Sequence, residues 1–318
     1  MGAIARLREA LRWLGRNVTR AMAVSVAVGL AIQPLAALLK PALTSAVFVL
    51  MVLAFLRIEP RALSAVFVRP WAVALASLWI MVLTPLALCL AFRWFGASGG
   101  ILLGLVLQAA APPVLSATTF SAILGLDAAL SLATLIVTTA MTPLTVPLFV
   151  AAFSGADVTL DPIALAFRLA AFLGGTFVVA VVLRRLIGAE RVAGASGEID
   201  GMSVIMLIFF GIAIMDGVTG RFLSEPGIVL ALTALSFVLA LGLYALTTLA
   251  FRPLGIERAL GLGFSGAHRN IAIMLAAGGA LPETTWLYFA VAQFPIYLVP
   301  LMITPFVHRI ISQRLPGP

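Results

Sequence analysis

Ten apolar runs follow one another along this chain, and they decide what it can fold into. They fall at roughly 21–39, 41–56, 70–92, 100–125, 127–153, 162–186, 202–219, 226–250, 257–280 and 284–308. A helix needs about 20 apolar residues to cross about 30 Å of hydrocarbon. In lipid, each backbone N–H and C=O must be bonded within the protein, which an α-helix does alone. With 63% of its 318 residues hydrophobic and 10% charged, the chain would not be soluble as a water-exposed globule. The expected class is an all-α polytopic membrane protein.

The net charge of +8 is not a nucleic-acid signature, because the arginines follow the positive-inside rule. With the N-terminus inside, the inner segments hold Arg6, Arg8, Arg12, Arg16 and Arg20, then Arg57, Arg61 and Arg69. Arg184, Arg185 and Arg191, Arg252 and Arg258, and Arg309 and Arg314 continue the pattern. Only Lys40, Arg93 and Arg221 fall outside, so both termini are expected in the cytoplasm. Arginine outnumbers lysine 19 to one, a bias that suits a bacterial inner membrane. Residues 1–20 carry no signal-peptide pattern. Their Ile4, Leu7, Leu11 and Leu14 fall at helical spacing among arginines, so the segment is expected to lie on the cytoplasmic face, drawn to anionic membrane lipid. Cys89 is the single cysteine, which excludes an intrachain disulfide and argues against a thiol metal site. No ATP-binding loop, haem motif or metal-ligand cluster is visible, and no cofactor is expected.

Two of the ten runs are broken by residues that a membrane helix does not accommodate without a reason. Pro112 and Pro113 both lack an N–H and cannot continue a regular helix. Arg269, between His268 and Asn270, carries a guanidinium that cannot lose its proton, and at bilayer depth it costs roughly 3 kcal/mol. Displacing the chain by 157 residues lays Gly104-Leu105 on Gly261-Leu262, Pro112-Pro113 on Arg269-Asn270 and Pro143 on Pro300. Residues 21–153 and 154–318 then each hold five runs with the fourth broken. Five is odd, so the second set is inverted relative to the first. Broken helices at matching places in inverted repeats point to a transporter's binding site. The expected architecture is ten transmembrane helices in two inverted five-helix repeats, with two discontinuous crossing helices.

Half-helices that start at such breaks aim N–H groups and a positive dipole end at the cavity. Together with Arg269 they favour a small organic anion. The candidate substrate-binding residues are Pro112, Ser116, Thr118, Thr119, Ser265, His268, Arg269 and Asn270. His268 and Asp216 are the candidates for proton coupling, Asp216 being the only acid late within a run. Asp127 reads as the N-cap of the fifth run with an exposed carboxylate. Asp157, Asp161, Glu225 and Glu283 read as loop or helix-start residues. Gly104, Gly261, Gly263 and Gly266 would permit close helix approach along a surface where two domains slide.

The LRIEPRAL segment, the block from APPVLSATTF to TPLTVP and the SGAHRNIAIMLAAGG segment resemble the bile acid:sodium symporter family over most of the chain. The resemblance implies a panel domain and a core domain, two unwound helices that cross in the core, organic anions bound beside the crossing, and two sodium ions. The departures bear on the ions. Sodium-coupled members resemble one another in a Pro-Gly-Gly turn followed by Ser-Asn, where this chain has Pro112-Pro113-Val114 and Ala117-Thr118. The family's acidic residue and Gln before an Asn align with Ser265 and Arg269 before Asn270, and a Gln of its third span falls near Ile80. Only Ser131 and Thr134 remain as residual sodium ligands, so neither sodium site is expected to be complete. Arg269 would then supply as a fixed charge the potential that sodium supplies in the relatives, with transport uncoupled or coupled to protons through His268.

Alternatives within the transport class are a sodium-coupled symporter with rebuilt ion sites, an arsenite exporter and an auxin-type carrier. The arsenite exporters resemble a pattern with Cys where this chain has Pro113. A transporter fold retained as a sensor would carry an appended signalling domain, and no long extramembrane segment is visible. From another class, the GFSG segment at 263–266 matches the serine motif of rhomboid-type proteases, with Ser265 and His268 as the pair. A nucleophilic serine needs its base within hydrogen-bond reach.

Overall fold

The computed structural model describes residues 3–58, 65–155 and 160–312. Arg61, Asp157 and Arg314, positions 59–63 of the LRIEPRAL segment and the side chain of Ile4 lie outside them. The described chain is helical throughout, and its one β-type pairing is an isolated bridge between Pro113 and Arg269. Among the described residues, seven helices are long and apolar enough to cross a membrane, so this is a multi-pass membrane protein.

In chain order the helices are α1 (Ala3–Arg16), α2 (Val18–Ala31), α3 (Gln33–Arg57), α4 (Pro70–Trp94), α5 (Gly99–Ala110), α6 (Leu115–Ile123), α7 (Ala128–Phe153), α8 (Pro162–Ile187) and α9 (Ala189–Gly194). There follow α10 (Ser196–Ala213), α11 (Val218–Ser224), α12 (Pro226–Phe251), α13 (Ile256–Ala267), α14 (Ile271–Gly278) and α15 (Glu283–Ser312). One boundary differs from expectation. The first break falls at Ile32, not at Lys40, and α3 runs through a 3-10 turn at Lys40–Ala42. Pro41 sits at the start of that turn, where a missing N–H costs nothing.

The chain divides into two compact units, each discontinuous in sequence. The first comprises Met1–Glu59, Phe167–Val229 and Leu275–Ala280; the second comprises Pro60–Ala166, Leu230–Met274 and Leu281–Pro318.

In the first unit, α10 is flanked by α1, α2 and α3, and glycines set the spacing. A methyl group at Gly29 would stand 2.8 Å from the Ile212 carbonyl oxygen, and one at Gly201 would overlap the Leu11 carbonyl. Close backbone approach of this kind is how membrane helices gain packing without a hydrophobic drive. The helix ends are tied by charge: Arg8 and Arg12 both lie 3.0 Å from Glu198, and Arg57 pairs with Asp200. Helix α1 is thus docked on α10, rather than held by lipid alone.

Two helix breaks in this unit satisfy each other through Gln33. Its Nε2 donates to the carbonyls of Gly29 at 2.8 Å and Met215 at 3.2 Å, and its Oε1 accepts the Gly217 amide at 2.9 Å. Gly217 takes φ +78°, which favours glycine, and closes the turn before α11. Unpaired polar groups at a helix end cost about 1–3 kcal/mol each when shielded from water. Gln33→Ala is therefore expected to lower unfolding stability by about 2 kcal/mol. The thermal midpoint in detergent checks this, and an unchanged midpoint would show that water replaces the amide.

In the second unit, α7 contacts α4, α5, α6 and α13. Tyr244, Leu260 and Phe264 form one apolar cluster with Leu124 and Val299; Ala72, Val73 and Ala76 form another with Leu130 and Leu262. Gly104 faces the Tyr288 ring, Gly263 faces Thr248 and Tyr244, and Gly266 faces Thr247. Gly261 faces Ser131, so all four glycines have their near neighbours inside this unit. Asp127 caps α7 through the Leu130 amide at 3.0 Å, as expected. Its carboxylate is not free in solvent but lies 3.2 Å from Arg258 and 3.4 Å from Arg69.

Candidate functional site

The two broken helices meet at their breaks. Helix α5 ends at Ala110 and α6 begins at Leu115; α13 ends at Ala267 and α14 begins at Ile271. Between them the non-helical segments 111–114 and 268–270 pair antiparallel through one isolated bridge. The Val114 amide donates to the His268 carbonyl at 2.9 Å, and the Asn270 amide donates to the Pro112 carbonyl at 2.7 Å. Neither proline could have donated, so the pairing uses the amides that Pro112 and Pro113 leave available on either side. Backbone freed from helices at membrane depth must be satisfied by protein, and here each break satisfies the other.

Arg269 closes this crossing. It is 1% exposed and four of its N–H groups are engaged. Nε donates to the Gly266 carbonyl at 2.9 Å, Nη1 donates to the carbonyls of Ile80 at 2.8 Å and Ala111 at 3.0 Å, and Nη2 donates to Thr84 Oγ1 at 2.9 Å. Each carbonyl is one that local structure has orphaned. Gly266 and Ala111 lie at the C-terminal ends of α13 and α5, where the last carbonyls have no intrahelical donor and the dipole is negative.

Ile80 lacks a backbone donor for a different reason, and apart from the guanidinium its carbonyl has only the Thr84 hydroxyl at 3.4 Å. The stretch Trp79–Leu83 of α4 is wound as a π-helix, and the Thr84 amide bonds to Trp79. In that register Ile80 should pair with residue 85, and residue 85 is proline, which has no N–H. The guanidinium takes the place of that missing donor. No carboxylate pairs with it among the described residues: the ion pairs involve other groups.

The other expected residues divide into buried and accessible sets. Ser265 is 1% exposed and its hydroxyl points back to the Gly261 carbonyl at 3.4 Å. His268 is 1% exposed; Nδ1 lies 3.1 Å from the Phe264 carbonyl, which can only accept, so Nδ1 carries the proton and Nε2 is left without a partner. Serine and histidine each bond their own helix and not each other, so the nucleophile–base pair of the protease reading is not formed. Pro112 is buried, and Thr118 is buried with its hydroxyl unpartnered. Ser116 and Thr119 are exposed, and Asn270 is partly so. The accessible lip of the break is therefore Ser116, Thr119 and, in part, Asn270, while Arg269, His268 and Ser265 are buried. The Arg269 guanidinium is turned inward onto carbonyls.

The residual ion ligands are also occupied or enclosed. Ser131 Oγ lies 3.2 Å from Ser121 Oγ and donates to the Asp127 carbonyl at 3.2 Å, while Thr134 is fully buried with an unpartnered hydroxyl. Asp216 does not join Arg269: it lies in the first unit, 2.8 Å from Lys40 Nζ. Gln33 and Thr84 were not expected from sequence. The Thr84-Pro85 pair inside an apolar run was the signal for the second, since such a proline always frees a carbonyl one turn back.

No protein-family model matches this chain, and no curated protein does.

Proposed function

We propose that this protein is a secondary transporter of the bile acid:sodium symporter type, moving a small organic anion without a sodium site. On this reading ten membrane passages form two inverted repeats, and the two compact units act as panel and core. The spacing of the broken helices supports it. Helices α5 and α13 have equal length, and both their first and last residues are 157 apart (256 − 99 and 267 − 110).

The observation that carries the proposal is the oxygen shell around Arg269. Three backbone carbonyls and a hydroxyl converge at a helix crossing, a ligand set of the kind that hard cations take. A guanidinium on the chain itself fills it. The tethered cation offsets the negative ends of α5 and α13 permanently, so no ion needs to bind first. On the other side of the break, α6 starts at Leu115 with no side-chain cap, and in its first turn the Ala117 amide bonds the Val114 carbonyl at 3.1 Å while those of Leu115 and Ser116 precede any intrahelical acceptor. With Ser116 and Thr119 exposed on that turn, a carboxylate or sulfonate would find N–H donors, hydroxyls and the positive helix end together. Alternating exposure of this lip by motion of one unit against the other would carry the anion across.

The test is a thermal-shift panel of organic anions (keto acids, aromatic acids and sterol acids) in sodium and in potassium buffer, followed by uptake into proteoliposomes. An anion present at about a hundred times its Kd should stabilise the protein by about 2.7 kcal/mol. The same shift is expected in both buffers, and Ser116→Ala with Thr119→Val should reduce it. A shift that requires sodium would overturn the tethered-cation reading in favour of rebuilt ion sites.

A further inference from the structure

A second polar feature lies in the first unit, far in sequence from the crossing. A cavity of about 710 Å³ opens between α1 and the start of α10, lined by Arg8, Arg12, Gly15, Arg16, Gly197 and Asp200 among others. The three arginines recur every four residues, so they share one side of α1. Three acids stand nearby: Glu198 is shared by Arg8 and Arg12, Asp200 is paired with Arg57, and Glu9 lines the cavity itself. Arg8, Arg12 and Arg16 set against Glu9 and Glu198 leave one positive charge over, and Arg16 has no acid paired to it among the described residues. The neighbouring helix ends add Arg184, Arg185 and Arg191 against Glu190. They are held close, since Arg184 bonds the Leu56 carbonyl and Val192 packs with Leu56 and Ile199.

Position selects the ligand. Arg57 ends one candidate membrane span and Ser196 begins another, so the cavity stands at the level where a membrane-crossing helix leaves the hydrocarbon. On α1 itself Leu7 is 61% and Trp13 59% exposed. A free Trp beside basic residues suits the bilayer interface, where its ring meets acyl chains and its N–H meets headgroups. A soluble anion would use the arginines and leave these two side chains bare.

We propose that the cavity is a binding site for an anionic phospholipid, its phosphodiester seated among Arg8, Arg12 and Arg16 and its acyl chains beside Leu7 and Trp13. Lipid bound there braces α1 against α10 and extends the contact that Glu198 begins. The inference does not depend on what binds at the crossing, and a Ser116→Ala, Thr119→Val protein should bind lipid as wild type does.

The experiment titrates detergent-purified full-length protein with phosphatidylglycerol, with phosphatidylcholine and with inorganic phosphate, following the unfolding midpoint. Phosphatidylglycerol is expected to raise the midpoint saturably, and the other two are not. Arg16→Gln should weaken the apparent affinity about fivefold, from the usual contribution of one basic residue at an anionic surface, while Arg16→Lys retains it. In wild-type protein, raising the ionic strength about tenfold should weaken binding through screening, whichever variants fold. Equal shifts with phosphatidylcholine would overturn the charge argument. An equal shift with inorganic phosphate would overturn the lipid and leave a simple anion site. Wild-type affinity in Arg16→Gln, or insensitivity to salt, would each remove the arginines from the site.

Discussion

Arg269→Ala is expected to cost the protein about 3–5 kcal/mol, the range for breaking one side of a buried charged network. That is a large part of the 5–15 kcal/mol that ordinarily separates folded from unfolded protein. The substitution removes four hydrogen bonds, leaves the carbonyls of Ala111 and Gly266 buried without these donors, and leaves that of Ile80 with only the long bond from the Thr84 hydroxyl at 3.4 Å. Unlike a surface arginine, this residue spans three separate backbone defects, so water or a rotamer change in one helix cannot replace it. Arg269→Lys retains the charge, but one ammonium cannot reach four acceptors spread around a planar fork, so about half the loss should persist. Arg269→Met is the discriminating control. Buried ion pairs are often replaced by apolar side chains at little cost, but here the partners are backbone carbonyls that cannot be mutated away. Unfolding midpoints and size-exclusion profiles in detergent measure all three. A methionine variant as stable as wild type would show that the carbonyls find other donors, and that Arg269 is kept for its charge alone.

Gly201→Val should release α1 from α10. The side chain would meet the Leu11 backbone carbonyl rather than the flexible end of a side chain, so the helices must move apart. Overpacking of a tight contact costs about 1–3 kcal/mol. Separation also forfeits the pairs from Arg8 and Arg12 to Glu198. Glu198 is 8% exposed, so its loss of both partners leaves a shielded carboxylate unpaired. The expected result is rapid protease cleavage within residues 3–16 while the rest of the chain stays resistant. Equal cleavage rates in the variant and the wild type would mean that α1 is not held through this contact.

The span pattern was legible because hydropathy over about 20 residues has one structural solution in lipid. The breaks at 112–113 and 269–270 were legible because proline pairs and an arginine are incompatible with a regular lipid-exposed helix. Other features were not. The break at Ile32 has a local cause in Pro34, in the first turn of α3, but the sequence did not show that Gln33 bonds across it to Met215 and Gly217, a pairing over more than 180 positions. The partner of Asp216 was open between Arg269, a helix cap and the cavity, and it is Lys40.

From the sequence alone came the class, the multi-pass helices and the residues at which two of them must break. Those are local quantities: transfer free energy summed over a turn or two, and the presence or absence of an N–H. Only the tertiary structure decided what Arg269 does with its charge. A guanidinium at membrane depth must find acceptors, and sequence supplies candidates without saying which are empty. The Ile80 carbonyl became empty through a π-turn followed by Pro85, and those of Ala111 and Gly266 through helix ends. Packing alone brought these three vacancies to one point, because hydrogen-bond deficits on separate segments can cancel only where the fold makes them neighbours.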